Sequence, residues 1–192
     1  DDVLGQIDFQ APDEAAGTDA ILVAAGISAI SEGDFSASNN ATKLSFKTGA
    51  SEAATEKMYI TSAGNVNMKN TATGDDTPMV VTLQTGETDI AAADVLGQID
   101  FQAPNEAAGT DAILVAAGIA AVSEGDFSSS NNATKLSFKT AASAAAAETA
   151  SLSSTGVFTA AGNLSLSDAR SVDISTPLLA GADHTSTGLS AQ

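Results

Sequence analysis

The chain has 192 residues, with 24 acidic against 7 basic side chains and a formal net charge of −17. That much negative charge repels phosphate and so argues against nucleic acid or an anionic membrane as a partner. With no cysteine there is no disulfide framework and no thiolate site.

Apolar residues make up 43% of the chain but aromatics only 4%, and tryptophan is absent. Alanine and glycine bury little area each, at roughly 25 cal/mol per Å² of apolar surface, so one copy alone does not fill a thick two-layer core. Small side chains do suit a thin layer that several chains share. The apolar content and strand patterns set aside a disordered acidic tail.

In chain order, residues 5–10 (GQIDFQ) place Ile7 and Phe9 on one side and Gln6, Asp8 and Gln10 on the other. This period of two predicts a half-buried strand. Pro12 ends it, and residues 13–18 form a polar turn. Residues 19–31 (DAILVAAGISAIS) alternate Ile21, Val23, Ala25, Ile27 and Ala29 against Leu22, Ala24, Gly26, Ser28 and Ile30. The β-branched residues and central Gly26 favour a strand over a buried helix, covered on both faces and bent at Gly26.

Residues 32–42 (EGDFSASNNAT) read as a loop. Residues 42–48 (TKLSFKT) turn Leu44 and Phe46 inward and Lys43, Ser45 and Lys47 outward. After a second loop, residues 56–61 (EKMYIT) aim Met58 and Ile60 one way and Lys57 and Tyr59 the other. Residues 62–65 are a turn, and Val66 and Met68 continue a short strand. Residues 69–76 are a polar connector, residues 78–85 (PMVVTLQT) predict one further strand, and residues 86–94 lead onward.

Residues 3–48 then return as residues 95–140, offset by 92, with four changes: Asp13 to Asn105, Ser28 to Ala120, Ile30 to Val122 and Ala37 to Ser129. The copies agree at surface positions as well as apolar ones, so both occupy equivalent surroundings. Beyond that stretch the frame survives, with Ile60, Gly64 and Val66 answered by Leu152, Gly156 and Phe158. Tyr59 becomes Ser151, which removes it as a carrier of chemistry. From residue 161 the repeat is lost. Leu164, Leu166, Val172 and Ile174 alternate as short strands before Pro177 and Gly181 break the pattern.

The expected divisions are a first repeat over 1–68, a connector with one strand over 69–94, a second repeat over 95–160, and short strands with a linker over 161–192. Asp1 and Asp2 align with Ala93 and Asp94, so the sequence reads as a segment starting at a repeat boundary. The longest apolar run, residues 20–30, is too short to span a bilayer. About ten short strands make an all-β chain. A 92-residue period exceeds one solenoid coil, so each copy is expected to be a bead of five or six strands.

The ordered phrases are G-x-I-x-F at Gly5, Ile7 and Phe9; K-L-S-F-K-T from Lys43 to Thr48; and E-K-M-x-I-x-S-x-G-N-V from Glu56 to Val66. This unit resembles the repeat of long tail fibres of tailed bacteriophages, particularly marine ones. The resemblance covers both copies, although Glu148, Thr149, Ala150, Ser151 and Leu152 depart from the E-K-M-x-I phrase. It implies three chains winding about one axis into a β-structured shaft in the virion tail. It also implies other tail proteins as neighbours and a host receptor reached through parts outside this chain.

Candidate chemistry is thin. Glu32 and Asp34, repeated as Glu124 and Asp126, are a conceivable carboxylate pair for glycoside hydrolysis, but a sugar cleft also needs stacking aromatics. The same groups with Asp13 or Asp19 offer oxygen ligands for calcium without any calcium-loop spacing. His184 is the one histidine; three copies meeting on an axis would be needed to bind a metal. No nucleophile elbow, P-loop or zinc spacing is present. The rows Lys43 and Lys47, and Lys135 and Lys139, read as partners for the excess carboxylates.

The sequence therefore predicts tandem β-rich beads forming a fibrous, trimeric shaft of β-prism or β-sandwich type. No catalytic residue, cofactor, metal or membrane insertion is expected. The interchain core would be Ile7, Phe9, Ile21, Val23, Ile27, Leu44 and Phe46, with Ile99, Phe101, Ile113, Val115, Ile119, Leu136 and Phe138. A bacterial or archaeal surface adhesin, or a polysaccharide-degrading spike, are the alternatives.

Overall fold

The computed structural model describes residues 1–11, 17–104 and 109–162. Two units divide the chain, Asp1–Thr82 and Leu83–Gln192, the break falling inside the expected connector. The first holds β1 (Val3–Gln10), β2 (Val23–Ser31), β3 (Thr42–Thr48), β4 (Thr55–Ile60) and β5 (Val66–Met68). The second holds β6 (Val95–Gln102), β7 (Val115–Ser123), β8 (Thr134–Thr140), β9 (Ala147–Leu152) and β10 (Phe158–Ala160), with a single 3₁₀ turn at Asp111–Ile113. The chain is all-β.

Each unit is one five-stranded antiparallel sheet whose strands lie side by side in chain order. Alternation of small or apolar with polar residues makes every strand two-faced, and short loops join each strand to its neighbour. Within each unit the substantial packing is between consecutive strands. These are therefore single-layer sheets. Among the described residues Ala120 is the one fully buried apolar side chain, at 1% exposure.

Three expectations need correction. Strand β2 begins at Val23 rather than at residue 19, because its partner β1 ends where Gln10 lies opposite Val23. Ahead of it the chain turns, with the Leu22 N–H donating to the Asp19 carbonyl at 3.1 Å. Ile21 and Ile113 accordingly sit in turns, outside the sheets. Residues 78–85 form no strand, and Val80 and Val81 stay exposed.

Pairing also runs unbroken through Gly26; the irregularities fall between Val3 and Gly5, after Phe9 and after Phe46. Gly26 serves close approach instead, since a Cβ there would lie 3.0 Å from an Asp8 carboxylate oxygen. Gly64 closes the β4–β5 turn at φ 83°, and Gly156 repeats it at 80°. Only glycine adopts that conformation without strain. The expected short strands at Leu164, Leu166, Val172 and Ile174, the breaks at Pro177 and Gly181, the residue 13–18 turn and the calcium candidate Asp13 fall wholly or partly outside the described residues.

Candidate assembly surface

Cross-strand register sorts the first sheet into rows. Ile7, Ile27, Phe46, Met58 and Met68 lie opposite one another across all five strands. A second row joins Gly5, Ala29, Leu44, Ile60 and Val66. Phe9 and Ala25 begin a third that ends in Thr48 and Thr55. Rows two residues apart share a face, so these apolar side chains form one surface. Gln6, Ser28, Ser45, Tyr59 and Asn67 form the row between, on the opposite face.

The apolar face is open to solvent. Ile7 is 62% exposed, Phe9 54%, Val66 57% and Met68 46%. A shallow apolar groove runs across it between Ile7, Ile27, Ala29 and Leu44. The second sheet repeats the arrangement, with Ile99, Ile119, Phe138, Ala150 and Ala160 in one row. Gly97, Ala121, Leu136, Leu152 and Phe158 form its neighbour. Phe101 and Phe158 are both 55% exposed. Val23 and Val115 sit at the ends of β2 and β7 on the same faces.

Twelve of the fourteen predicted interchain residues thus share one face per sheet, and Ile21 and Ile113 do not. Met58, Ile60, Val66 and Met68 extend the same face beyond the predicted set. Alternation groups Met58 with Ile60 and Val66 with Met68, and the pairing register joins both pairs to the rows of β3.

The opposite face is polar and tighter. Ser28 and Ser45 are 2% and 0% exposed, and the Ser28 hydroxyl has no hydrogen-bond partner. Lys43 reaches along its strand past Ser45 to Glu56, 3.1 Å away, and its ammonium lies 5.0 Å from the Tyr59 ring centre. Lys135 and Glu148 repeat the ion pair at 2.7 Å. Half-exposed pairs of this kind contribute less than about 1 kcal/mol.

The candidate catalytic carboxylates are turn ties. Glu32 accepts the Ser62 backbone N–H at 2.9 Å, and Glu124 accepts that of Ser154 at 2.9 Å. The Ser62 hydroxyl and N–H hold the Glu32 carboxyl below its ordinary value, and Ser154 does the same for Glu124. A general acid needs the opposite shift. The Asp34 and Asp126 backbone carbonyls accept the Asn39 and Asn131 side-chain amides at 2.7 Å, and the Asp126 carboxylate also accepts the Ala92 N–H at 3.2 Å. No three acidic, histidine or cysteine side chains among the described residues are grouped to hold a metal ion. His184 lies outside those residues.

No protein-family model matches the chain, and no curated protein matches it. Among solved structures, the carboxy-terminal domain of the bacteriophage T5 L-shaped tail fibre aligns over 98% of this chain and 89% of that one, at 10% identity and a TM-score of 0.39. A structure of the same domain with its intra-molecular chaperone domain aligns over 100% of this chain and 64% of that one, at 10% identity and a TM-score of 0.34. Likeness at this level decides nothing about function.

Proposed function

We propose that this chain is a shaft segment of a bacteriophage tail fibre, in which three copies bring their apolar sheet faces together and hold a distal receptor-binding tip away from the virion. The observation that carries the reading is the open apolar face: each unit is a single layer whose Ile, Leu, Phe and Met row has no cover from its own unit. Water-exposed apolar area of that extent marks an association surface. Joining copies also protects sheet edges from stray pairing. The tail-fibre assignment and the number three come from the resemblance of the repeat phrases. The function is mechanical, and geometry is the mechanism: duplicated beads add length.

Sedimentation equilibrium over a wide concentration range tests it. Three chains of 18.9 kDa give a particle of about 57 kDa. A persistent monomer refutes shared cores, and a dimer refutes three-fold symmetry.

A further inference from the structure

The two units share the sequence of their first strands, yet differ in how that edge is covered. In the second unit the residues ahead of β6 fold back onto it. The Phe127 N–H donates to the Ile90 carbonyl at 2.9 Å, the Ala92 N–H to an Asp126 carboxylate oxygen at 3.2 Å, and the Ser123 hydroxyl to the Ala91 carbonyl. Asp94 exchanges backbone and side-chain hydrogen bonds with Ser123. Leu83 lies so close over Gly97 that a Cβ there would meet the Leu83 Cβ at 2.8 Å. Ala93 takes a left-handed φ of 73°, a conformation costing about 1–2 kcal/mol that surrounding bonds must hold.

In the first unit the same residues line an open groove of about 400 Å³ formed by Asp2, Leu4, Ser31, Gly33, Asp34 and Phe35. Asp2 bonds Ser31 as Asp94 bonds Ser123. A Cβ on Gly5 would meet nothing within 4 Å. Phe35 is 50% exposed and Leu4 49%, whereas Phe127 and Leu96 are half-buried. Since Leu4, Gly5, Ser31, Asp34 and Phe35 are identical to Leu96, Gly97, Ser123, Asp126 and Phe127, the connector alone makes the difference.

We propose that the Leu4–Phe35 groove is a docking site for an extended segment of the Leu83–Ala92 type. The occupant is an extended, acidic segment that offers a carbonyl to the Phe35 N–H, an N–H to the Asp34 carboxylate and a leucine to the surface of Gly5. The second bead is held in this way by its own connector, which makes bead and connector one mechanical unit. This stands apart from the three-chain reading, because every contact invoked lies within one unit of one chain.

The test adds the twelve residues of 81–92 (VTLQTGETDIAA) ahead of Asp1 in the full chain and follows amide hydrogen exchange. The Phe35 amide should slow by at least about tenfold, toward the rate of Phe127. Gly5→Ala should be silent in the 192-residue chain and should restore fast exchange at Phe35 in the extended one. Equal Phe35 exchange with and without the extension overturns the proposal, as does a Gly5→Ala effect that is the same in both. Protection in the unextended chain that rises with protein concentration also overturns it, in favour of a segment from another copy. Mass measurements are indifferent to all these outcomes.

Discussion

Replacing Phe9 by alanine separates a shared core from a merely greasy surface. A phenylalanine side chain buries roughly 200 Å² when enclosed. Phe9 is 54% exposed, so about 110 Å² remains for another chain to cover, equivalent to about 2.7 kcal/mol at 25 cal/mol per Å². Three chains lose about 8 kcal/mol per assembly, or roughly six powers of ten in the association constant. For an isolated chain the same change removes only the part of the ring that its own sheet covers, about 90 Å² or about 2 kcal/mol at the same rate, and that loss does not depend on concentration. Sedimentation equilibrium of wild type and Phe9→Ala, with urea unfolding at several concentrations, reads both quantities. Phe101, at 55% exposure, should repeat the result independently. An unchanged mass distribution for Phe9→Ala would refute the reasoning.

Other expectations follow from the polar face and the turn ties. Ser28 and its counterpart Ala120 occupy equivalent buried positions, and the Ser28 hydroxyl has no partner. Ser28→Ala should therefore stabilise the first sheet by about 1 kcal/mol in a urea titration, and a loss of stability would show that the hydroxyl is bonded. The Glu32 and Glu124 carboxyls lie below their ordinary value of 4.5 in the folded chain. Their ties to Ser62 and Ser154 are thus fully present above that pH and fade as pH falls through the lower folded values. The Ser62 and Ser154 amide resonances should report a midpoint below 4.5, lost in Glu32→Gln and Glu124→Gln; a midpoint at or above 4.5 would contradict the tie.

Most strands were legible because alternation in a single-layer sheet directly records which residues share a face. The phrase TKLSFKT marks β3 from end to end, since Lys and Ser must alternate with Leu and Phe on a two-faced strand. Alternation records a capacity for pairing, however, and not whether a partner is present. Residues 19–22 carry the pattern of β2 onward, yet β1 runs out opposite Val23 and the chain turns there. The run PMVV is apolar enough for a strand, yet it forms none and leaves Val80 and Val81 exposed.

For the assembly surface, spacing placed Ile7, Phe9, Ile27, Leu44 and Phe46 on one side. It did not reveal that Met58, Ile60, Val66 and Met68 extend the same rows, because that depends on register across two further hairpins. The carboxylates Glu32 and Glu124 looked like loop charges. Their bonds to turns some thirty residues away arise from folding a meander and leave no local signature.

The absence of cysteine permits the most direct test of the covered face. Ile7→Cys and Gln6→Cys place single thiols on opposite faces of β1, and both positions are exposed in one chain alone. Thiol labelling of the native protein should modify Gln6→Cys at the rate of a free thiol and Ile7→Cys at least about tenfold more slowly, with equal rates in denaturant. Equal rates in the native protein would show that no second chain lies on the apolar face.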